Sequence, residues 1–325
     1  MTKKPIFLNY KKRPKLRDPI MLAAWPGMGS VAIRAAEFLW DQLKPKEFAE
    51  FSPEGFFFPQ EAFIMNGQIE VPRLSTGKFY YWQHPKARHD LVLFVCEAQP
   101  APEKGYAYAQ LVLDVAQSLK IRQVFTFASM PMPIDHLQDV NVWATVTDKR
   151  LLKDLLRQQV KHLRSGQISG LNGLLLSVAK ERDIAGICLL AEIPLYAIQI
   201  ENPKASKAVL KVFSRVLGFE FDFTSLDERA RIVDEEIDKL IEYFKSGVTP
   251  GPISEEELES FKNSLAAATK LPDSARSRIE ELFRAAQNDL TKAGDLKKEL
   301  DRWHIYKEYE DRFLDLFRHS RGDSQ

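Results

Sequence analysis

Four short, unbroken apolar runs, at residues 20–25, 91–96, 124–127 and 187–190, recur along the chain with stretches of helical periodicity between them. A strand buried on both faces reads as a continuous apolar run, and such strands belong to parallel sheets covered by helices on both sides. The intervening stripes agree. Ala32, Ala35, Ala36, Leu39 and Leu43 repeat at helical spacing, as do Ala109, Val112, Leu113, Ala116 and Leu119. Residues 142–146 read as one more strand of this kind. Residues 48–51, 63–65 and 78–83 look like half-exposed strands, with Asn66-Gly67 as a hairpin turn. A last core helix opens at Ser225-Leu226-Asp227-Glu228, which has the form of a capping box, and carries Ala230, Val233, Ile237, Leu240, Ile241 and Phe244 on one face. The expected class is α/β: a mixed, largely parallel sheet flanked by helices.

A chain of 325 residues has room for one full-sized core and an appendage. Residues 1–17 are basic and carry Pro5 and Pro14, which predicts a solvated arm with at most one edge strand near Ile6-Phe7-Leu8. Residues 18–246 hold the alternating pattern, and residues 247–325 turn helical and charged after the linker Pro250-Gly251-Pro252. In that all-α appendage Ser254 and Glu257 form a capping box ahead of Leu258, Phe261 and Leu265. Ala275, Ile279, Leu282, Phe283, Ala286 and Leu290 make a second stripe, and Leu296, Leu300 and Trp303 begin a third that ends near Phe313 and Phe317. Such stripes need burial, either within the chain or against another subunit.

Lys and Arg number 46 against 45 Asp and Glu, a net charge of +1, so the whole chain has no pull toward nucleic acid or an anionic membrane. No segment approaches the roughly 18 uninterrupted apolar residues of a membrane span, and the start lacks an apolar signal core. Cys96 and Cys188 sit inside strand-like runs, as free thiols do in a reducing compartment. A soluble, cytoplasmic protein is expected.

The candidate site begins where the first buried run stops at Pro26 and passes through Gly27, Met28, Gly29 and Ser30 into a helix. A strand, a tight turn and a helix N-terminus expose backbone N–H groups that suit an anion or a partner's carboxylate. Gly27 to Ala32 also fits G-x-G-x-x-G/A, with Glu50 at about the distance of a ribose-binding acid. The rival reading is a turn needed only for close strand–helix packing, with Ser30 as N-cap. Gly170, Asn172 and Gly173 form a second loop ahead of an apolar helix. Glu97, with Gln99, follows one strand, and Glu192 follows another, so the two carboxylates are candidates for neighbouring strand ends, where open α/β sheets keep ligands. Tyr196 is either a pocket wall or an interface residue. No residue set has the spacing of a catalytic triad or a metal centre, and no cofactor is expected.

The strings Ala24-Trp25-Pro26-Gly27-Met28-Gly29-Ser30-Val31, Val95-Cys96-Glu97-Ala98-Gln99-Pro100, Ile168-Ser169-Gly170-Leu171-Asn172-Gly173-Leu174-Leu175-Leu176, Leu189-Leu190-Ala191-Glu192-Ile193-Pro194-Leu195-Tyr196 and Pro203-Lys204-Ala205 resemble the proteasome assembly chaperone 2 family. The blocks stand in the family's order between about Asp18 and Phe244. The resemblance implies a phosphorylase- or hydrolase-like α/β fold, an oligomeric habit, and members that assemble proteasome rings or have no assigned activity. Family members that dock on proteasome rings can use a hydrophobic-Tyr-any tail, and Arg321-Gly322-Asp323-Ser324-Gln325 does not match it. Two functions are therefore weighed. The first is a non-enzymatic, assembly-chaperone-like scaffold acting as a homo-oligomer on a protein client, without nucleic acid or membrane. The second is a small-ligand or nucleotide-binding protein or enzyme, ligase- or phosphorylase-like, using Gly27–Ser30 and Gly170–Gly173. One deep pocket framed by both glycine loops and both glutamates favours the second; separate, shallow loops favour the first.

Overall fold

Each apolar run becomes a strand whose neighbours cover it on both faces. In the computed structural model, which describes residues 8–58, 63–65, 67–70, 74–86, 89–245, 273–302 and 306–319, the strands are β1 (Leu8–Tyr10), β2 (Ile20–Ala24), β3 (Lys46–Phe51), β4 (Phe63–Met65), β5 (Gln68–Glu70), β6 (Lys78–Trp82), β7 (Leu91–Val95), β8 (Gln123–Met132), β9 (Val142–Val146), β10 (Lys161–His162) and β11 (Ala185–Pro194). The helices are α1 (Val31–Leu43), α2 (Gly105–Ser118), α3 (Leu152–Leu156), α4 (Leu171–Glu181), α5 (Pro203–Leu217), α6 (Thr224–Lys245), α7 (Asp273–Asn288), α8 (Ala293–Arg302) and α9 (Tyr306–His319). Nine strands form one mixed sheet in the order β1-β3-β6-β7-β2-β8-β11-β9-β10, while β4 and β5 make a separate hairpin. The central strands β7, β2, β8 and β11 run parallel. The β1, β3 and β6 flank is antiparallel, and β9 returns antiparallel to β11.

Alternate residues of these strands supply two cores, as a pleated strand dictates. Leu22, Leu93, Phe125 and Leu189 pack with Ala35 and Leu39 of α1 and Val209 and Phe213 of α5. On the other face Met21, Ala23, Phe94, Val124 and Cys188 pack with Val112 of α2 and Leu175 of α4. Phe94 sits inside an aromatic cluster, with ring centroids 4.5 Å from Phe79, 5.1 Å from Trp25, 6.1 Å from Phe51 and 6.3 Å from Tyr108. Gly77 makes this cluster possible. A Cβ there would lie 2.5 Å from Phe94 Cζ and closer still to the Tyr108 hydroxyl.

Both cysteines are free and buried. Burial pushes the Cys96 thiol up and the Cys188 thiol up to about 12, against an ordinary value of 9.0. Iodoacetamide at pH 8 is therefore expected to label neither thiol in the native protein and both in guanidinium, read by intact mass. The sign of the linkage follows. Unfolded thiols begin to ionise near pH 9.0 while Cys188 stays protonated in the fold, so its contribution to stability is complete below that pH and is lost as pH rises toward about 12.

Three local expectations need correction. Ser30 stands at the N-cap of α1 but has φ +51° and makes no side-chain cap hydrogen bond. The helix α6 starts one residue early, at Thr224, whose N–H and hydroxyl donate to the Asp222 carboxylate at 3.0 and 2.6 Å, so Ser225 lies inside the first turn. Finally β8 and β11 run on to Met132 and Pro194, paired along their whole length, so Glu192 lies within a strand and not after one.

The chain divides into two compact units, Met1–Lys262 and Asn263–Gln325. Pro250-Gly251-Pro252, the capping box at Ser254 and the expected boundary at 246/247 lie outside the described residues, as do residues 1–7 of the arm; Leu8 to Tyr10 form the edge strand. In the second unit Ile279, Phe283 and Ala286 of α7, Ala293, Leu296 and Leu300 of α8, and Phe313 and Leu316 of α9 make a core. The third expected stripe is two helices. Arg312 donates to both Glu280 carboxylate oxygens at 2.6 and 2.7 Å and stacks over Phe283. Among the described residues no helix is long and apolar enough to cross a membrane.

Candidate functional site

The turn after β2 gives its backbone to the protein itself. Gly29 has φ +64°, and its N–H donates to Ile198 O at 2.8 Å while its carbonyl accepts from Asn202 N at 2.8 Å. Ser30 N–H closes onto Gly27 O at 3.0 Å, and the Met28 carbonyl accepts from the Ser129 hydroxyl at 2.5 Å. A Cβ at Gly29 would press on Ile193 Cδ1 at 3.3 Å. These bonds support the reading of a turn built for close packing. Glu50 lies on β3, with β6 and β7 between it and β2, so the acid of the dinucleotide pattern is not on the adjacent strand.

The second loop meets the first through two side chains. Asn172 accepts from Trp25 N at 3.1 Å and donates to Trp25 O at 3.1 Å, so its carboxamide pairs with that peptide as a neighbouring strand would. Gln99 donates from Nε2 to Pro26 O at 2.7 Å and accepts the Leu171 N–H at 3.0 Å, capping the start of α4. The backbone fits only glycines here. Gly170 has φ +72° and lies against the Gln99 side chain, and a Cβ on Gly173 would lie 2.7 Å from Ile168 Cβ and closer to its carbonyl oxygen.

The carboxylates do not join this assembly. Glu97 is exposed at the end of β7. Glu192 lies on β11, with β2 and β8 between, which puts the two strands about 14 Å apart at a spacing of about 4.8 Å. Glu192 is buried and accepts from Trp143 Nε1 at 2.8 Å and from Asn141 Nδ2 and N at 2.6 and 3.3 Å, with Lys161 Nζ at 4.0 Å. That carboxylate ties β9 to β11. Its oxygens are buried and met by donors, as burial of a polar group demands.

Tyr196 lies in a third place. Its hydroxyl accepts from His136 N at 2.9 Å and lies 2.8 Å from His136 Nδ1, and burial, with the Asp135 charge second, raises its pKa. On the other side of the ring His136 Nε2 lies 3.1 Å from Asp238 Oδ1. Lys204 Nζ donates to His136 O at 2.9 Å and pairs with Asp234 at 2.6 Å. Tyr196 and His136 thus fasten α6 to the end of β11.

One open cleft borders the assembly on its far side. It encloses about 730 Å³ between α4 and the segment 163–170, with Thr145, Val146 and Thr147 on the floor. Gln99, Gly170 and Gly173 line one end of it, whereas Gly27, Met28, Gly29, Ser30, Glu97, Glu192 and Tyr196 do not. The two glycine loops meet, Glu97 follows its strand as expected, and Glu192, within β11, is not at a neighbouring strand end. Sequence reasoning missed His136, Asn141 and Trp143, whose partners are long-range and leave no local pattern, and Arg164 and Lys180, which only the fold brings to one cleft.

A family model, the PAC2 family, matches residues 21–241. The chain belongs to the PAC2 family. The curated relative "Uncharacterized protein MJ1210" of Methanocaldococcus jannaschii is 28% identical to this PAC2 chain over 249 residues, covering 75% of it and 92% of the relative. Among solved structures, Pyrococcus furiosus PbaB, "an archaeal proteasome activator", is 32% identical, with a TM-score of 0.63, over 72% of this chain and 97% of that one. Pyrococcus furiosus PbaA, "an archaeal homolog of proteasome-assembly chaperone", is 21% identical with a TM-score of 0.57, over 74% and 94%. The PAC2 match stops within α6, so residues 242–325 stand outside it.

Proposed function

We propose that this chain works by docking other polypeptides: an assembly-chaperone-like scaffold, non-enzymatic, cytoplasmic and homo-oligomeric, whose client is a proteasome subunit. Residues 18–246 are the scaffold and 247–325 the appended helices. The supporting observation is the end of the sheet where an α/β enzyme keeps its ligand. There Gln99 and Asn172 spend their hydrogen bonds on the backbone of the two loops, and the carboxylates stand strands apart. The same end offers apolar surface. Met28 is 43% and Leu137 56% exposed, with half-buried Met130, Pro131, Met132, Pro133 and Ile134 beside them. Methionine-rich surface of this kind adapts to a partner's side chains, and apolar burial there contributes about 25 cal/mol per Å². The relative titled as a proteasome activator, 32% identical, supports a proteasome subunit as the client class.

Light scattering on the full chain should report a multiple of 37.3 kDa, and mixing with proteasome α-subunits should give a co-migrating species. The double variant Met28→Asp/Leu137→Asp keeps the oligomer's mass and loses co-migration. A monodisperse particle of one chain that ignores the α-subunits overturns the proposal.

A further inference from the structure

The cleft beside α4 carries chemistry that docking a protein does not use, and the geometry points to a separate role for it: holding a small organic phosphate. Its volume, about 730 Å³, falls within the roughly 300–1,000 Å³ of ligand pockets. It runs along α4 from Leu171 to Lys180, nine residues or about 14 Å, enough for an elongated molecule with one charged end. The charge has one sign. Arg164 on the loop wall and Lys180 on the helix wall both line it, no carboxylate does, and neither cation forms an ion pair with any described residue.

Hydroxyls complete the lining. The hydroxyls of Thr145, Ser165, Ser169 and Ser177 make no hydrogen bond to a described residue, whereas that of Thr147 is occupied, accepting from Gly186 N at 2.8 Å. Two cations with several free donors match the double charge and three terminal oxygens of a phosphate monoester better than the single charge of a carboxylate. Val146, Leu163, Ile168, Leu174 and Leu176 in the same lining give an apolar bed for an organic body. The walls are formed in advance, because Gly170 and Gly173 let segment 163–170 lie directly on α4, and Gln99 holds the join. The helix N-terminus is not the phosphate's seat, since Gln99 takes the Leu171 N–H.

Calorimetry on the full chain with adenosine monophosphate, hexyl phosphate and inorganic phosphate tests the assignment, alongside the double variant Arg164→Gln/Lys180→Gln. Both side chains are exposed, so the variant should melt as the parent does. The expected result is submillimolar binding of at least one organic phosphate, at least tenfold weaker binding of inorganic phosphate, and at least a tenfold loss in the variant. Absence of organic-phosphate binding up to 5 mM, equal affinity for inorganic phosphate, or affinity that survives in the variant overturns it. Because α-subunit co-migration is read separately, failure here leaves the docking result intact.

Discussion

Replacing Asn172 by alanine should lower the free energy of unfolding by about 2–5 kcal/mol. The change strands two buried backbone groups, Trp25 N–H and Trp25 C=O, and each orphaned group costs about 1–3 kcal/mol. Trp25 is fully buried, so water has no ready access to take the amide's place. Urea denaturation with an unchanged m-value is the measurement; a loss under 1 kcal/mol would show that the pairing between the loops is incidental. Asn172→Asp separates the two halves of the bond. It keeps an acceptor for Trp25 N–H but sets carboxylate oxygen against Trp25 O, so it should be no more stable than the alanine variant at pH 7.

Phe94→Ala should cost about 3–5 kcal/mol, the range for deleting a buried aromatic ring from a core that cannot collapse around the gap. Four rings surround Phe94, each held by its own strand or helix: Trp25 after β2, Phe51 on β3, Phe79 on β6 and Tyr108 on α2. The sheet's hydrogen bonds fix those backbones, so the cavity persists. Phe94→Leu refills part of it and should recover more than half of the loss. Thermal and urea unfolding of both variants, with ligand binding absent, gives the ordering. A Phe94→Ala protein within 1 kcal/mol of the parent would mean the cluster relaxes freely.

What could be read from the chain depended on whether a residue's partner was local. The strands β2 and β7 were legible to within a residue because burial on both faces leaves an unbroken apolar run. The extensions of β8 and β11 were not, since Ser129 to Met132 and Ala191 to Pro194 owe their strand geometry to pairing with each other across about sixty residues. The helix α5 carried its signals openly, Asn202 capping Ala205 N at 2.9 Å, Pro203 in the first turn and Gly218 left-handed at the end, with lysines at 204, 207 and 211 on a face apart from the buried Ala205, Val209, Leu210, Phe213 and Leu217. At the site, Gln99, Gly170, Asn172 and Gly173 were named as ligand-binding candidates. Their side chains and backbone turn out to grip the opposing loop. An asparagine that pairs with a distant peptide and one that awaits a ligand have the same letter, and only the fold tells them apart. Glu192 went astray for a related reason: it was placed after a strand end, whereas it lies within β11 and its surroundings come from β9.

The position of β2 in the sheet sets a timetable for synthesis. Its two neighbours, β7 and β8, lie about seventy and a hundred residues further along the chain. At ribosomal speeds of about 5–20 residues per second, Ile20 to Ala24 therefore waits roughly 4–14 seconds as naked apolar backbone before either edge is covered and roughly 5–20 seconds before both are. Parallel pairing over such separations is also slow to nucleate. A nascent chain with so buried a strand made early and enclosed late is a natural customer for holding factors at the exit tunnel.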